Sequence, residues 1–345
     1  VLSERHSLER KISMADNAVY EELIDMINKT DPHVIGLPNT PAMLKVLMLQ
    51  FTPEEAKMAL QIGTAGGTLS ELSAKTGIDK ANLKKKLETM ATKGTMWIDP
   101  DKEDPVYRVL ASSAPGLVET GAWGGIRFPY DIELIRNLHQ VLIDWARDRL
   151  CPLGFPFAPV FAHPEHIPDD AKPGENLFET LKNQDCIAVS DCPCRLSHWM
   201  AEPDKHCSHT LQTCIHYGNV ARWTVKYGMA HQISYDEAVA LLKKCHAEGL
   251  VHTIDIDGCV CNCCTDCCPL FIGIRQFKTK TLIASPFMPQ IDADKCSACS
   301  SCVDACPLGA LKLNDVAEVD KDVCVGCAVC VPTCDLGAIR MVRRQ

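Results

Sequence analysis

Twenty of the 21 cysteines in this 345-residue chain fall between Cys186 and Cys334, and Cys151 is the remaining one. Thiols at such density either cross-link as disulfides or, as thiolates, hold metal. Adjacent pairs such as Cys263-Cys264 and Cys267-Cys268 are poor material for a cross-linking network. A chain of this length, 46% apolar, is also large enough to fold without staples. Metal binding is the chemistry that fits.

Two runs say which metal. Cysteines stand at 296, 299, 302 and 306, and again at 324, 327, 330 and 334, a copy 28 residues later. The spacing C-x2-C-x2-C-x3-C bends three thiolates around one face of a cubane while the fourth reaches a second cubane. Zinc sites use two ligand pairs and lack the third C-x2-C step. With the intervening "LGALKLN" and closing "LGAIRMV" stretches, the segment resembles a bacterial-type 2[4Fe-4S] dicluster ferredoxin. That resemblance implies one [4Fe-4S] cluster on Cys296, Cys299, Cys302 and Cys334, a second on Cys324, Cys327, Cys330 and Cys306, and one-electron transfer as their work. Pro307 follows the first run and Asp335 the second, a turn difference that leaves both clusters expected.

Residues 186–268 hold twelve cysteines in a less regular arrangement, with Cys192-Pro193-Cys194-Arg195, then Cys207 and Cys214, then six thiols from Cys259 to Cys268. Between these groups, Ser234 and Glu237 form a capping box for a helix that stops at Gly249, and "LVHTIDI" alternates as a strand. Neighbouring side chains in an extended loop point apart, so adjacent cysteines cannot all face one metal. At least one further iron–sulfur cluster of [4Fe-4S] type is expected, with enough thiols for two. Its ligands come from Cys192, Cys194, Cys207, Cys214, Cys261, Cys263, Cys264, Cys267 and Cys268; which four bind is open. The alternative is zinc, with Cys-x-Cys joined by His206, His209 or His216. Arg195 either offsets cluster charge or makes a surface salt bridge. Cys186 and Cys245 read as buried small apolar residues. The pattern of CPCR followed by CNCC ahead of a dicluster segment resembles a group of iron–sulfur electron-transfer proteins of anaerobic microbes, which often carry a further cysteine where this chain has Asp266.

The elements that position these loops are legible in part. Thr52-Pro53-Glu54-Glu55, the pair Thr68 and Glu71, and Asp79 each start a helix, and Gly94 ends the last one. "TMWID" and "VYRVL" then read as a two-stranded wing, so the region is similar to a winged helix-turn-helix domain. Lys80, Lys84, Lys85, Lys86 and Lys93 give its last helix a basic face, yet Asp79, Glu88, Asp99, Asp101, Glu103 and Asp104 surround it, and only Asn82 could read a base edge. Protein docking or dimerisation fits better than DNA. Residues 131–150 form an amphipathic helix with Ile132, Leu134, Ile135, Leu138, Val141, Leu142 and Trp145 as its apolar side. Six prolines from Pro152 to Pro173 then predict an extended strap. "GAWGG" lacks the setting of a phosphate loop.

The expected class is α+β multidomain: a helical segment (1–40), a winged-helix-like domain (41–112), a helix and strap (113–177), a cysteine-rich α/β domain (178–285) and a ferredoxin domain (286–345). A net charge of −9 works against nucleic acid and anionic membranes as partners. No run reaches the ~20 apolar residues of a membrane span, and no secretory signal is recognised, so a cytoplasmic location is expected. Function is expected as an electron-transfer protein or subunit of an anaerobic redox complex, with redox partner proteins and a homo- or hetero-oligomeric state. The rivals are a reductase with an open-site cluster fed by the ferredoxin domain, and a redox-sensing transcription regulator.

Overall fold

The computed structural model describes residues 14–30, 35–111, 116–205, 207–255 and 258–345. The chain begins with helices α1 (Met14–Thr30), α2 (Pro41–Gln50) and α3 (Pro53–Ile62), followed by strand β1 (Gly67–Thr68), α4 (Leu69–Thr76), α5 (Lys80–Thr92), β2 (Met96–Ile98) and β3 (Val106–Val109). Local signals set these starts. Thr52 Oγ accepts from the Glu55 amide at 3.2 Å while the Glu55 carboxylate accepts from the Thr52 amide at 2.8 Å, and Thr68 with Glu71 repeats the exchange. The three strands pair antiparallel in the order β1-β3-β2.

Next come α6 (Leu117–Trp123) and α7 (Asp131–Trp145), the latter running on into a wider turn at Ala146–Leu150. On α7 the buried stripe is Leu134, Ile135, Leu138, Val141 and Leu142, whereas Ile132 is exposed because it falls off that stripe at 3.6 residues per turn. The cysteine-rich part is built from β4 (Ala158–Phe161), α8 (Leu177–Lys182), β5 (Ile187–Asp191), α9 (Pro193–Ala201), β6 (Gln212–Tyr217), α10 (Gly218–Lys226), β7 (His231–Ile233), α11 (Tyr235–Ala247), β8 (Val251–Asp255), β9 (Cys259–Cys263), α12 (Pro269–Ile272) and β10 (Leu282–Ile283). Its strands form one sheet in the order β10-β4-β8-β9-β6-β5-β7, antiparallel except for the β10–β4 pair. The proline-rich segment is thus not a strap throughout. Ala158-Pro159-Val160-Phe161 joins the sheet, with the amides of Phe157 and Ala158 donating to Thr281 O at 2.9 and 3.0 Å, so that pairing begins on residues that have a donor.

One apolar core runs from α1 through α7 into α9 and α10, crossing the boundaries expected near residues 112 and 177. The β2–β3 hairpin is packed onto this core. Trp97 of β2 stacks on Trp223 of α10 at 5.3 Å, both rings buried, and Arg222 reaches Asp101 at 3.0 Å. The C-terminal part consists of β11 (Phe287–Ile291), α13 (Ser301–Asp304), β12 (Leu311–Leu313), β13 (Ala317–Val319) and β14 (Ile339–Arg343), with β11–β14 and β12–β13 as antiparallel pairs. Arg343 ties it to residues 170–175 through Asp170 and Glu175. Among the described residues no helix is long and apolar enough to cross a membrane.

Candidate metal centres

The two C-terminal cysteine runs fold into loops of the same shape. Ala298 and Ser300 have φ of 56° and 66°, and the residues 28 positions on, Gly326 and Ala328, have φ of 72° and 69°. Left-handed backbone is costly for residues with a Cβ and turns successive amides toward a common centre. The Ala310 amide donates to Cys306 Sγ at 3.2 Å, and the Ala338 amide donates to Cys334 Sγ at 3.3 Å. Cys296, Cys299, Cys302 and Cys334 line one cavity of 440 Å³, and Cys306, Cys324, Cys327 and Cys330 line a second pocket. The first opens to solvent at Cys299; the second is walled by buried Cys327 and Cys330. Burial pushes the Cys327 thiol up to about 12.

The middle thiols sort into two groups, and adjacent cysteines go to opposite ones. Cys264, Cys207 and Cys267 place their sulfurs within 4.8 Å of one another, with Cys267 and Cys207 at 3.5 Å. Cys263 instead faces Cys261 and Cys268, and Cys261 faces Cys214. Cys192 and Cys194 face each other on the turn that opens α9. An apolar cavity of 110 Å³ is lined by Cys192, Cys194, Cys214, Cys261, Cys263, Cys264 and Cys268, with Trp123 and Phe157 among its walls.

Arg195 has no solvent exposure, so it is not a surface salt bridge. Its guanidinium donates to Thr210 O, Thr213 Oγ and Asn262 O and lies beside Cys192, Cys264 and Cys207. Hydrogen bonds from Cys207 and Cys267, helped by this guanidinium, hold the Cys264 thiol well below the usual range. A buried fixed cation against acidic thiols suits a negatively charged sulfur-bound centre. Cys186 and Cys245 are buried, and burial pushes Cys245 up to about 12.

Of the histidines weighed with zinc, His209 faces Glu248 and His216 lies in β6 with Nδ1 3.2 Å from Cys259 Sγ, so the two go to different partners; His206 lies outside the described residues. His216 also meets Cys214, and a histidine outside that set, His198, one turn beyond Cys194, has its Nδ1 2.9 Å from Cys267 Sγ. Its place one turn past the CPCR motif was the available signal. The middle and C-terminal sets adjoin. Cys263, Cys268 and Cys327 belong to one apolar cluster with Val160, Val251, Phe271 and Val329.

Residues 289–312, which include the first cysteine run, match the 4Fe-4S binding domain family. No curated protein and no solved structure matches the chain. With this domain and so many cysteines, the arrangement suggests an iron–sulfur electron-transfer role.

Proposed function

We propose that the chain is a multi-cluster iron–sulfur electron relay. Cys296, Cys299, Cys302 and Cys334 would hold the outermost [4Fe-4S] cluster, and Cys306, Cys324, Cys327 and Cys330 the next. In the middle part, Cys214, Cys261, Cys263 and Cys268 would hold a third, and Cys207, Cys264 and Cys267 a fourth, completed by one thiol of the Cys192–Cys194 turn. Clusters so bound supply reversible one-electron chemistry over a wide range of potentials.

The supporting observation is that Cys327 shares one buried apolar cluster with Cys263 and Cys268. Thiols of the second and third sets are thereby buried in the same apolar core. Exposed Cys299, with Leu313 and Leu336 at 39% and 56% exposure on the same cavity rim, offers the docking face for a redox partner. Arg195 offsets thiolate charge at the inner end, and the amides of Ala310 and Ala338 do so at the outer sets. The helices and three-stranded sheet of the N-terminal half serve as a winged-helix-like scaffold. Its wing is covered by α10, and Lys93 is engaged by Glu55 at 2.7 Å, which favours scaffold over regulator. Rapid mixing of oxidised protein with an external one-electron donor tests the order. Cys327→Ala should retain the inner clusters but slow their reduction, while equal rates in the variant and the parent would contradict the relay.

A further inference from the structure

Four histidines that belong to none of the cysteine motifs converge beside β8. His163 caps and His166 closes the short turn after β4, His246 lies in the last turn of α11, and His252 lies in β8. The rings of His163 and His246 stack at 4.3 Å, with His252 5.4 Å and His166 5.7 Å from His163. One ring nitrogen from each of His163, His166 and His246 lies within 4.8 Å of the other two. Three of the four are buried, His163 and His252 completely.

Their hydrogen bonding leaves an outstanding need. Both nitrogens of His246, Nε2 of His163 and Nε2 of His252 are buried with no partner, each a group that costs about 1–3 kcal/mol when left so. The tautomer of His252 follows from its neighbour. Asn262 Nδ2 donates to Thr213 O at 2.7 Å, so its Oδ1, 2.6 Å from His252 Nδ1, must accept a proton from that ring. His252 Nε2 therefore carries a bare lone pair. On His163, Nδ1 accepts from the Glu165 amide at 3.3 Å and so carries that ring's lone pair, while the Glu165 carboxylate takes Lys243 at 2.6 Å. An imidazole whose second nitrogen is held by an amide oxygen, as His252 is by Asn262, is a usual neighbour of a bound transition metal.

We infer that His163, His166 and His246, with His252 beside them, form a binding site for one divalent transition-metal ion of the Zn²⁺ class, held by imidazole nitrogen and distinct from the thiol sites. Nitrogen-only donors suit Zn²⁺, Fe²⁺ or Ni²⁺ over the softer ions that thiolates select. The site adjoins the cysteine array, since Asn262, which orients His252, stands between Cys261 and Cys263.

The test uses full-length protein with its clusters intact, stripped anaerobically with EDTA, given Zn²⁺ and desalted. One zinc per chain should be retained, with an absorption-edge scattering shell of nitrogen or oxygen near 2.0–2.1 Å and no sulfur near 2.3 Å. His166→Asn, at the least buried of the four, should leave iron content and circular dichroism unchanged while abolishing zinc retention. His209→Asn should retain it. Failure to retain zinc, sulfur in its shell, or undiminished retention by His166→Asn would overturn the site. Loss of the clusters themselves would count against the electron relay and is read separately, as iron.

Discussion

Arg195 is the side chain on which the inner site turns. Its guanidinium satisfies two carbonyls and a hydroxyl while lying beside three thiols with no water in reach. Arg195→Met should destabilise the protein by about 3–5 kcal/mol, because it removes the buried partner of these groups. Arg195→Lys keeps the charge and loses the planar fork. Redox titration followed by electron paramagnetic resonance should find inner-cluster potentials lower in Arg195→Met than in the parent, with Arg195→Lys between. Cys263 and Cys264 give a second test at this scale, since these neighbouring thiols face different partners and are proposed to serve different clusters. Cys263→Ser and Cys264→Ser should each lose about four irons, and the double variant about eight. A double variant that loses no more than either single would refute the division into two groups. That these thiols lie close together was legible because their spacing in the chain is local. Their grouping was not, since it depends on how β6, α9 and the Cys264–Cys268 loop meet in space. The histidine cluster escaped notice for the same reason: its members come from the turn after β4, from α11 and from β8.

At the scale of elements, the paired cysteine loops rest on backbone that only glycine adopts freely. A Cβ at Gly326 would meet Phe287 O at 2.0 Å on top of a φ of +72°. Gly326→Ala should cost more than the ~1–2 kcal/mol of left-handed backbone alone, with the second cluster lost first. Ala298 occupies the matching position in the first loop without glycine, so Ala298→Gly should stabilise by about 1 kcal/mol in thermal denaturation of the cluster-replete protein. Helix starts were the most legible elements, because Thr52 with Glu55, Thr68 with Glu71 and Ser234 with Glu237 are signals contained within four residues. Strand β4 was masked by its proline. The packing of β2 against α10 could not be read at all, since the two are separated by more than 100 residues and Trp97 and Trp223 are unremarkable apart from each other. Trp223→Ala should cost about 3–5 kcal/mol, a value set by the large cavity it leaves.

Across the whole molecule, the thiol sets succeed one another from a solvent-facing rim at Cys299, through buried Cys327, to the enclosed pair of groups around Arg195. The N-terminal half continues the core that backs the inner groups and keeps solvent from them. The central claim is that both halves of this cysteine array hold iron and sulfide. Quantitative iron and acid-labile sulfide analysis of protein purified under strict exclusion of oxygen tests it most directly. The account predicts about sixteen of each per chain, as four cubanes require. About eight of each, with zinc or free thiols accounting for Cys192 to Cys268, would contradict it.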